Sequence, residues 1–335
     1  KKEEYLNVKD TMETRTCLGC GVKLQYTDEL KEGYILEKKY LEGALYCQRC
    51  FKLKNYSKKE SNDLKVNIDS VIEKVNQSNG HAFFLVDLFN ICDEYINTFK
   101  KIKINKTLII SKSDLIFNDI NKEKVKNNIK DIYNISDEVI FLSSKKKYNI
   151  NAIFKILKNE DKKNSYILGY TNAGKSTLIN ALKGVDLISS SYVPNTTLDF
   201  IKLNIDEYEI IDTPGFNISN TFYKEKEYEV MKKVNPINYV SPITYQSKDN
   251  QIFVLENRLY LKGFENNSIT FYISSLVDIK KIYKEEKLHY KEINIDDDSD
   301  IVISTLGFIN VKKKCVLKVN EDMFNLISVR KSIFK

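Results

Sequence analysis

The chain has 335 residues, enough for roughly two or three domains with sizeable cores. Hydrophobic residues make up 42% and charged residues 30%, as in an ordinary soluble protein. No apolar run approaches the ~18 residues that a membrane helix needs, no secretory signal is visible, and a net charge of only +7 permits an anionic partner without requiring one. The abundant Lys, Asn, Ile and Tyr fit an AT-biased genome as well as a nucleic-acid surface, so single lysines carry no weight. The chain opens at Lys1 rather than Met, so a preceding piece is expected to be missing.

Residues 1–60 read as a metal-binding module and linker. After a polar start come Cys17-Leu-Gly-Cys20 and, 26 residues later, Cys47-Gln-Arg-Cys50. Two such pairs supply four thiolates, which suit tetrahedral zinc, and a lengthened spacer costs little. A redox C-x-x-C expects one pair beside a β-α-β pattern, not two in a polar segment. Cys92 and Cys315 stand alone in apolar surroundings and are expected to be buried structural residues. Residues 51–62 form a basic linker.

Across 61–224 the pattern alternates between helix and strand. Leu64 to Val75 has helical spacing, Ala82–Asp87 and Thr107–Ser111 read as buried strands, and Asn121 caps a helix reaching Ile132 with Val125 and Ile129 on one face. Val139–Leu142 is a further strand, Asn151–Leu157 a short helix, and Tyr166–Leu168 the strand entering a glycine loop. This alternation predicts a mostly parallel sheet with helices on both faces, and ligands at the carboxyl ends of its strands. Those ends carry Asp87, Ser111–Asp114, Ser143–Lys145 and Gly169–Ser176.

Gly169 to Ser176 fits G-x-x-x-x-G-K-[ST], the phosphate-binding loop between a strand and a helix. Gly169 and Gly174 let the backbone wrap around phosphate, and the amides of Asn172, Ala173 and Gly174 with those of Lys175, Ser176 and Thr177 surround the anion. Lys175 adds charge at the β- and γ-phosphates, and the Ser176 hydroxyl is a ligand for magnesium. Downstream, Leu187–Asn195 is a Ser-rich loop, Thr196-Thr197 follows, and Phe200–Leu203 with Tyr208–Ile211 forms a hairpin ending in Asp212-Thr-Pro-Gly215-Phe216. Asp212 suits a magnesium-bound water, and Gly215 offers an amide to the γ-phosphate.

Residues 225–335 lack nucleotide motifs and predict a β-rich domain. Ile252–Leu255, Leu259–Leu261, Ile269–Ile273, Ile301–Ile303 and Val316–Val319 read as strands, and Leu276–Tyr283 as a helix. Lys312, Lys313, Lys314, Lys318, Arg330, Lys331 and Lys335 gather near the end with Phe308, Phe324 and Phe334 among them. Two readings stay open: a base-stacking RNA surface, or a solvated rim around core aromatics. Asp296–Asp300 reads as a loop, and His81 and His289 as structural.

Guanine recognition ordinarily uses an Asn-Lys-x-Asp loop and a later Ser-Ala-Lys loop, both downstream of the phosphate loop. Here the candidates, Ser111-Lys112-Ser-Asp114 and Ser143-Ser144-Lys145, lie upstream. Joining old termini and cutting one loop preserves such a sheet, so the chain resembles a circularly permuted GTPase. Cys17-Leu-Gly-Cys20-Gly, Tyr46-Cys47-Gln-Arg-Cys50-Phe, Leu85-Val-Asp87, Thr196-Thr197-Leu-Asp199, Asp212-Thr-Pro-Gly215 and the 300–308 and 329–333 segments resemble the YqeH family across nearly the whole chain.

That resemblance implies GTP hydrolysis coupled to assembly of the small ribosomal subunit, with rRNA or ribosomal proteins as partners. It implies that Thr197, or Thr196 beside it, is the switch threonine and a magnesium ligand with Ser176 and Asp212. It also implies that Asp114 pairs with the guanine edge, that Lys112 packs on the base, and that Ser144 and Lys145 close over it. Ser111 replaces the usual Asn, which predicts weaker guanine affinity. Phe216 stands where many GTPases carry a water-orienting Gln. Permuted GTPases of that kind resemble potassium-activated enzymes with an Asn at the place of Asn172; the alternative is that Asn172 only makes a turn. Slow intrinsic turnover, GTP/GDP, Mg2+, Zn2+ and K+ as cofactors, and a free monomer follow, in bacterial-type cytoplasm or an organelle of bacterial origin. Competing readings are an RNA-binding scaffold with a degenerate nucleotide site and an ATP-using enzyme.

Overall fold

The structure, a computed structural model, describes residues 15–17, 22–28, 33–48, 66–116, 120–183, 189–192, 200–224, 227–235, 239–284 and 288–335. Cys20, Cys50, Thr196 and Thr197 lie outside the described residues. In the amino-terminal part a short helix, α1 (Glu37–Leu41), packs Tyr40 with Cys17, Leu24, Ile35 and Cys47 in a small core. The Cys47 amide donates to the Cys17 sulfur at 3.2 Å. Among the described residues no three His, Cys, Asp or Glu side chains are grouped to hold a metal.

The α/β region is built as its periodicity predicts. Helix α2 (Ile68–Asn76) opens on Asn67, whose side chain accepts from the Ser70 amide, and buries Val71, Ile72 and Val75. Strand β1 (His81–Asp87) is buried throughout. Helix α3 (Asp93–Lys100) follows; its apolar Tyr95, Ile96 and Phe99 are buried, but the polar residues between them hid it in the sequence. Strand β2 (Lys106–Ser111), helix α4 (Lys122–Tyr133), strand β3 (Glu138–Phe141), helix α5 (Ala152–Asn159), strand β4 (Asn164–Gly169) and helix α6 (Lys175–Lys183) come next. Asn121 caps α4 by accepting from the Lys124 amide at 3.1 Å, as its position implies.

Part of the Ser-rich loop is a strand, β5 (Ser189–Tyr192), which pairs antiparallel with β6 (Ile201–Ile205); β6 in turn forms a hairpin with β7 (Tyr208–Asp212). The ladder offered by β6 overrides the weak local preference of the serines. All seven strands join one sheet in the order β3-β2-β1-β4-β7-β6-β5. From β3 through β7 neighbours are parallel, so the strand ends that carry polar residues share one edge. Side chains alternate between two cores: Phe84, Val86, Leu108 and Ile110 face one, Phe83, Leu85 and Ile109 the other.

Helix α7 (Tyr228–Val234) leads to ten strands: β8 (Ile243–Gln246), β9 (Ile252–Leu255), β10 (Leu259–Lys262), β11 (Ser268–Ile273), β12 (Ile279–Ile282), β13 (Tyr290–Ile295), β14 (Ser299–Ile303), β15 (Gly307–Val311), β16 (Cys315–Asn320) and β17 (Ile327–Lys331). They form two five-stranded antiparallel sheets, β12-β9-β10-β16-β13 and β17-β14-β15-β11-β8, which share one core containing Phe253, Leu261, Phe271, Ile309 and Leu317. The expected helix at 276–283 is instead the edge strand β12, paired with β9. Its apolar spacing fits either period, and the open β9 edge with β-branched Ile279 and Ile282 decides for strand.

The carboxyl-terminal sheets pack on the α/β region through a common core. Val302, Phe308 and Ile333 join the cluster around Phe84 and Phe89. This overturns a base-stacking role for Phe308, which is fully buried between Phe89, Tyr272 and Phe334. Arg330 is likewise no part of a solvated rim. It is buried, paired through Nε with Asp300 at 3.2 Å, and donates from Nη1 to the Ile91 carbonyl at 2.6 Å. Asp300 also accepts from Asn310 and the Ile333 amide, so it belongs to β14 and this contact, not to a loop. Among surface lysines, Lys312 and Lys335 both approach Asp298, and Lys318 pairs with Glu292. His81 is structural, held between Glu160 (2.8 Å) and Thr107 (2.9 Å). Cys92 and Cys315 are half-buried, and burial raises both thiol pKa values, that of Cys315 to about 11. No helix among the described residues is long and apolar enough to cross a membrane.

Removing one member of a buried charge pair strands the other. Asp300→Ala is therefore expected to cost about 3–5 kcal/mol in urea unfolding, and the pair replacement Asp300→Leu with Arg330→Met to recover most of it.

Candidate nucleotide-binding site

The loop between β4 and α6 has the backbone shape that a phosphate cradle requires. Gly169 has φ +151, and a Cβ there would sit 2.6 Å from the Leu85 carbonyl of the adjacent strand. Gly174 has φ +95, a conformation that side chains rarely adopt. Asn172 has φ 64, which Asn tolerates better than most residues. The first amides of α6, Lys175 to Thr177, open beside this loop, with Ser176 and Thr177 exposed.

Lys175 is buried behind the loop. Its ammonium donates to the Thr213 carbonyl and lies 3.3 Å from both Thr213 Oγ1 and Asp212 Oδ1. Burial pushes its pKa down, and the Asp212 carboxylate opposes that shift. Asp212 Oδ1 attracts the ammonium but makes no hydrogen bond of its own. A buried carboxylate oxygen with spare accepting capacity fits a hydrated magnesium ion.

After Asp212 the chain returns to the loop. Phe216 forms a parallel bridge with Tyr170, its amide donates to the Gly169 carbonyl at 3.1 Å, and its carbonyl accepts from the Thr171 amide at 2.8 Å. The Phe216 ring is fully buried against Phe84 and Tyr170. Gly215 lies beside Thr171, where a Cβ would meet the threonine methyl at 3.5 Å. The Asn172 amide group donates to the Tyr223 hydroxyl at 3.1 Å.

The upstream strand ends reach the same cradle. Ser111 Oγ at the end of β2 donates to the Ala173 carbonyl at 2.6 Å, with the Val86 carbonyl 3.3 Å away. Lys112 takes a left-handed conformation, φ 58, and its ammonium pairs with Asp87 at the end of β1. Asp114 follows on a half-buried 3-10 turn. The Ser113 amide donates to the Leu142 carbonyl, which brings the end of β3 alongside. There Ser143 closes a turn through bridges to Tyr148, while Ser144 is half-buried and Lys145 exposed. Of the candidate nucleotide residues, only the switch threonines fall outside the described residues.

The sequence motif from β4 to α6 lies in a segment, 164–275, that matches the family described as 50S ribosome-binding GTPase. The uncharacterized protein YqeH of Bacillus subtilis is 25% identical, in an alignment covering 90% of this chain and 93% of that protein. The chain resembles YqeH along nearly its whole length and carries a GTPase-family segment. GTPase Era of Mycoplasmopsis pulmonis is 32% identical over 38% of this YqeH-like chain and 47% of its own length. GTPase Der of Streptococcus agalactiae serotype Ia is 31% identical over 44% of the chain and 36% of its own length. The YqeH-like chain thus spans less than half of either, and its upstream loops at 111–114 and 143–145 precede the matched family segment.

Sequence reasoning placed Asp87 at one of the ligand-binding strand ends without giving it a role, and did not single out Thr213, Tyr223 or Asn90. Only Asp87 carried a signal, an acidic residue closing a wholly apolar strand. Ser111→Ala removes the bond to Ala173 and is expected to lower stability by about 1 kcal/mol in urea unfolding.

Proposed function

We propose that the chain is a circularly permuted GTPase that hydrolyses GTP to GDP and phosphate and acts as a switch in assembly of the small ribosomal subunit. The observation that carries this reading is the bond from Ser111, upstream in sequence, to Ala173 in the phosphate loop. In the proposed organisation, 1–60 is the zinc module and linker, 61–224 the permuted GTPase domain and 225–335 the ribosome-facing domain.

In this reading the amides of 172–177 hold the phosphates, and Lys175 leaves its internal carbonyls for the β- and γ-phosphate oxygens. Ser176, Asp212 and Thr197 would hold magnesium, which supplies charge neutralisation on the triphosphate. Asp114 accepts from the guanine N–H groups, Lys112 lies along the base, and Ser143–Lys145 close its edge. Water attacks the γ-phosphorus, the bond to the bridging oxygen breaks, and the proton ends on phosphate. Because the Phe216 ring is turned into the core, no side chain at that position orients the water. Turnover is therefore slow without a partner, or without potassium beside Asn172. Ser111 keeps the loop contact that the usual Asn makes but lacks its reach, consistent with modest guanine affinity.

Zinc would be held by Cys17, Cys20, Cys47 and Cys50. The described half of that set supports the reading: Cys17 and Cys47, from the two pairs, share one core, and an amide donates to sulfur. Metal analysis of the purified full chain is expected to return one zinc per chain, lost on replacement of Cys17 and Cys47. The description of the matched family names the 50S, the large ribosomal particle, which supports a ribosomal partner in bacterial-type cytoplasm or an organelle of bacterial origin; the choice of the small subunit rests on the resemblance to YqeH. The scaffold reading draws on Ser111 and Phe216.

The deciding experiment compares GTP with ATP hydrolysis, in potassium and in sodium, with and without small or large ribosomal subunits. GTP-selective turnover, faster in potassium and with small subunits, and abolished by Lys175→Ala, is expected. Subunit binding that ignores both nucleotide and Lys175→Ala would establish the scaffold instead.

A further inference from the structure

Asp87 closes β1, the strand between the guanine-loop strand β2 and the phosphate-loop strand β4. It sits directly opposite Ser111 in the register. Its carboxylate is fixed from two sides: Oδ1 accepts from the Phe89 amide at 2.9 Å, and Oδ2 from the Asn90 side chain at 3.3 Å. Asn90 is itself held, because its Oδ1 accepts from the Thr305 amide of the β14–β15 turn at 2.9 Å. The remaining capacity of Asp87 Oδ2 goes to the Lys112 ammonium. Lys112 therefore has a left-handed backbone at one end of its stem and a fixed carboxylate at the other.

Resting on the reading of this site as a guanine-nucleotide pocket, we propose that Asp87 is the positioning residue of the purine clamp: it pins the Lys112 ammonium so that the lysine stem is already extended along the base when nucleotide arrives. A free lysine would lose its rotamer entropy on binding, and the Asp87 pair moves that loss into folding. The Asn90–Thr305 bond extends the support to the carboxyl-terminal sheets. The base end of the pocket is thus held by both parts of the chain.

The test uses the full chain and two probes, a fluorescent GDP analogue and inorganic pyrophosphate, which occupies only the phosphate end. Asp87→Asn keeps the shape and the Phe89 contact but loses the charge. It is expected to weaken GDP about tenfold, the cost of roughly one lysine's ordering, and to leave pyrophosphate binding unchanged. Lys112→Ala is expected to weaken GDP similarly, and the double variant to be no worse than the weaker single. GDP binding by Asp87→Asn at wild-type strength or tighter overturns the proposal. So do multiplicative losses in the double variant, or an equal loss for pyrophosphate. If Asp87→Asn lacks a cooperative melting transition, Asn90→Ala decides, with about a threefold loss for GDP alone expected and none overturning the proposal. Wild-type protein that binds ADP as well as GDP would overturn the nucleotide reading itself; wild-type selectivity with an unaltered Asp87→Asn overturns only this inference.

Discussion

The bond from the Ser111 hydroxyl to the Ala173 carbonyl is the contact on which the site depends. It joins the end of one strand to a loop that follows the next strand but one in the sheet, across β1. Without it the upstream loop and the phosphate loop would be two strand ends on a common edge. With it they form one wall. The bond requires close backbone approach, and Gly169, whose missing Cβ makes room for the Leu85 carbonyl, provides that on the other side of the same loop.

Around that wall the molecule stores its cations in ion pairs. Lys175 rests against Asp212 and two carbonyls, Lys112 against Asp87, and Arg330 against Asp300 and the Ile91 carbonyl. The first two lie at the strand-end edge of the sheet, in the proposed nucleotide pocket. The third lies in a closed core and ties the carboxyl-terminal sheets to the strand-end region. Phe216 belongs with this third kind of contact: its ring is locked in the core, so the segment after Asp212 is anchored at its start. Beyond that anchor, the stretch from Asn220 to Tyr223 touches both the phosphate loop and the carboxyl-terminal sheets. There Ser304 donates to the Asn220 carbonyl, the Phe222 amide to Thr305, and Asn172 to Tyr223.

The buried strands were legible because apolar runs such as Ala82–Val86 and Leu108–Ile110 have one stable place, the middle of a sheet covered on both faces. The glycine loop was legible because few residues other than glycine tolerate its torsions. Strand β12 and helix α3 were misread or missed because short amphipathic segments fit more than one period, and a neighbour's open edge or groove makes the choice.

By itself, the amino-acid sequence determined six of the seven strands of the α/β sheet and most of the helices between them, the phosphate loop, and the candidate guanine loops ahead of it in the chain. These are local properties, set by spacing and by glycine. Tertiary structure alone decided that Ser111 reaches Ala173, that Asp87 holds Lys112, and that Arg330 and Phe308 are interior rather than surface. Those outcomes depend on which distant residues share a core, and the spacing of a single segment carries no record of its partners.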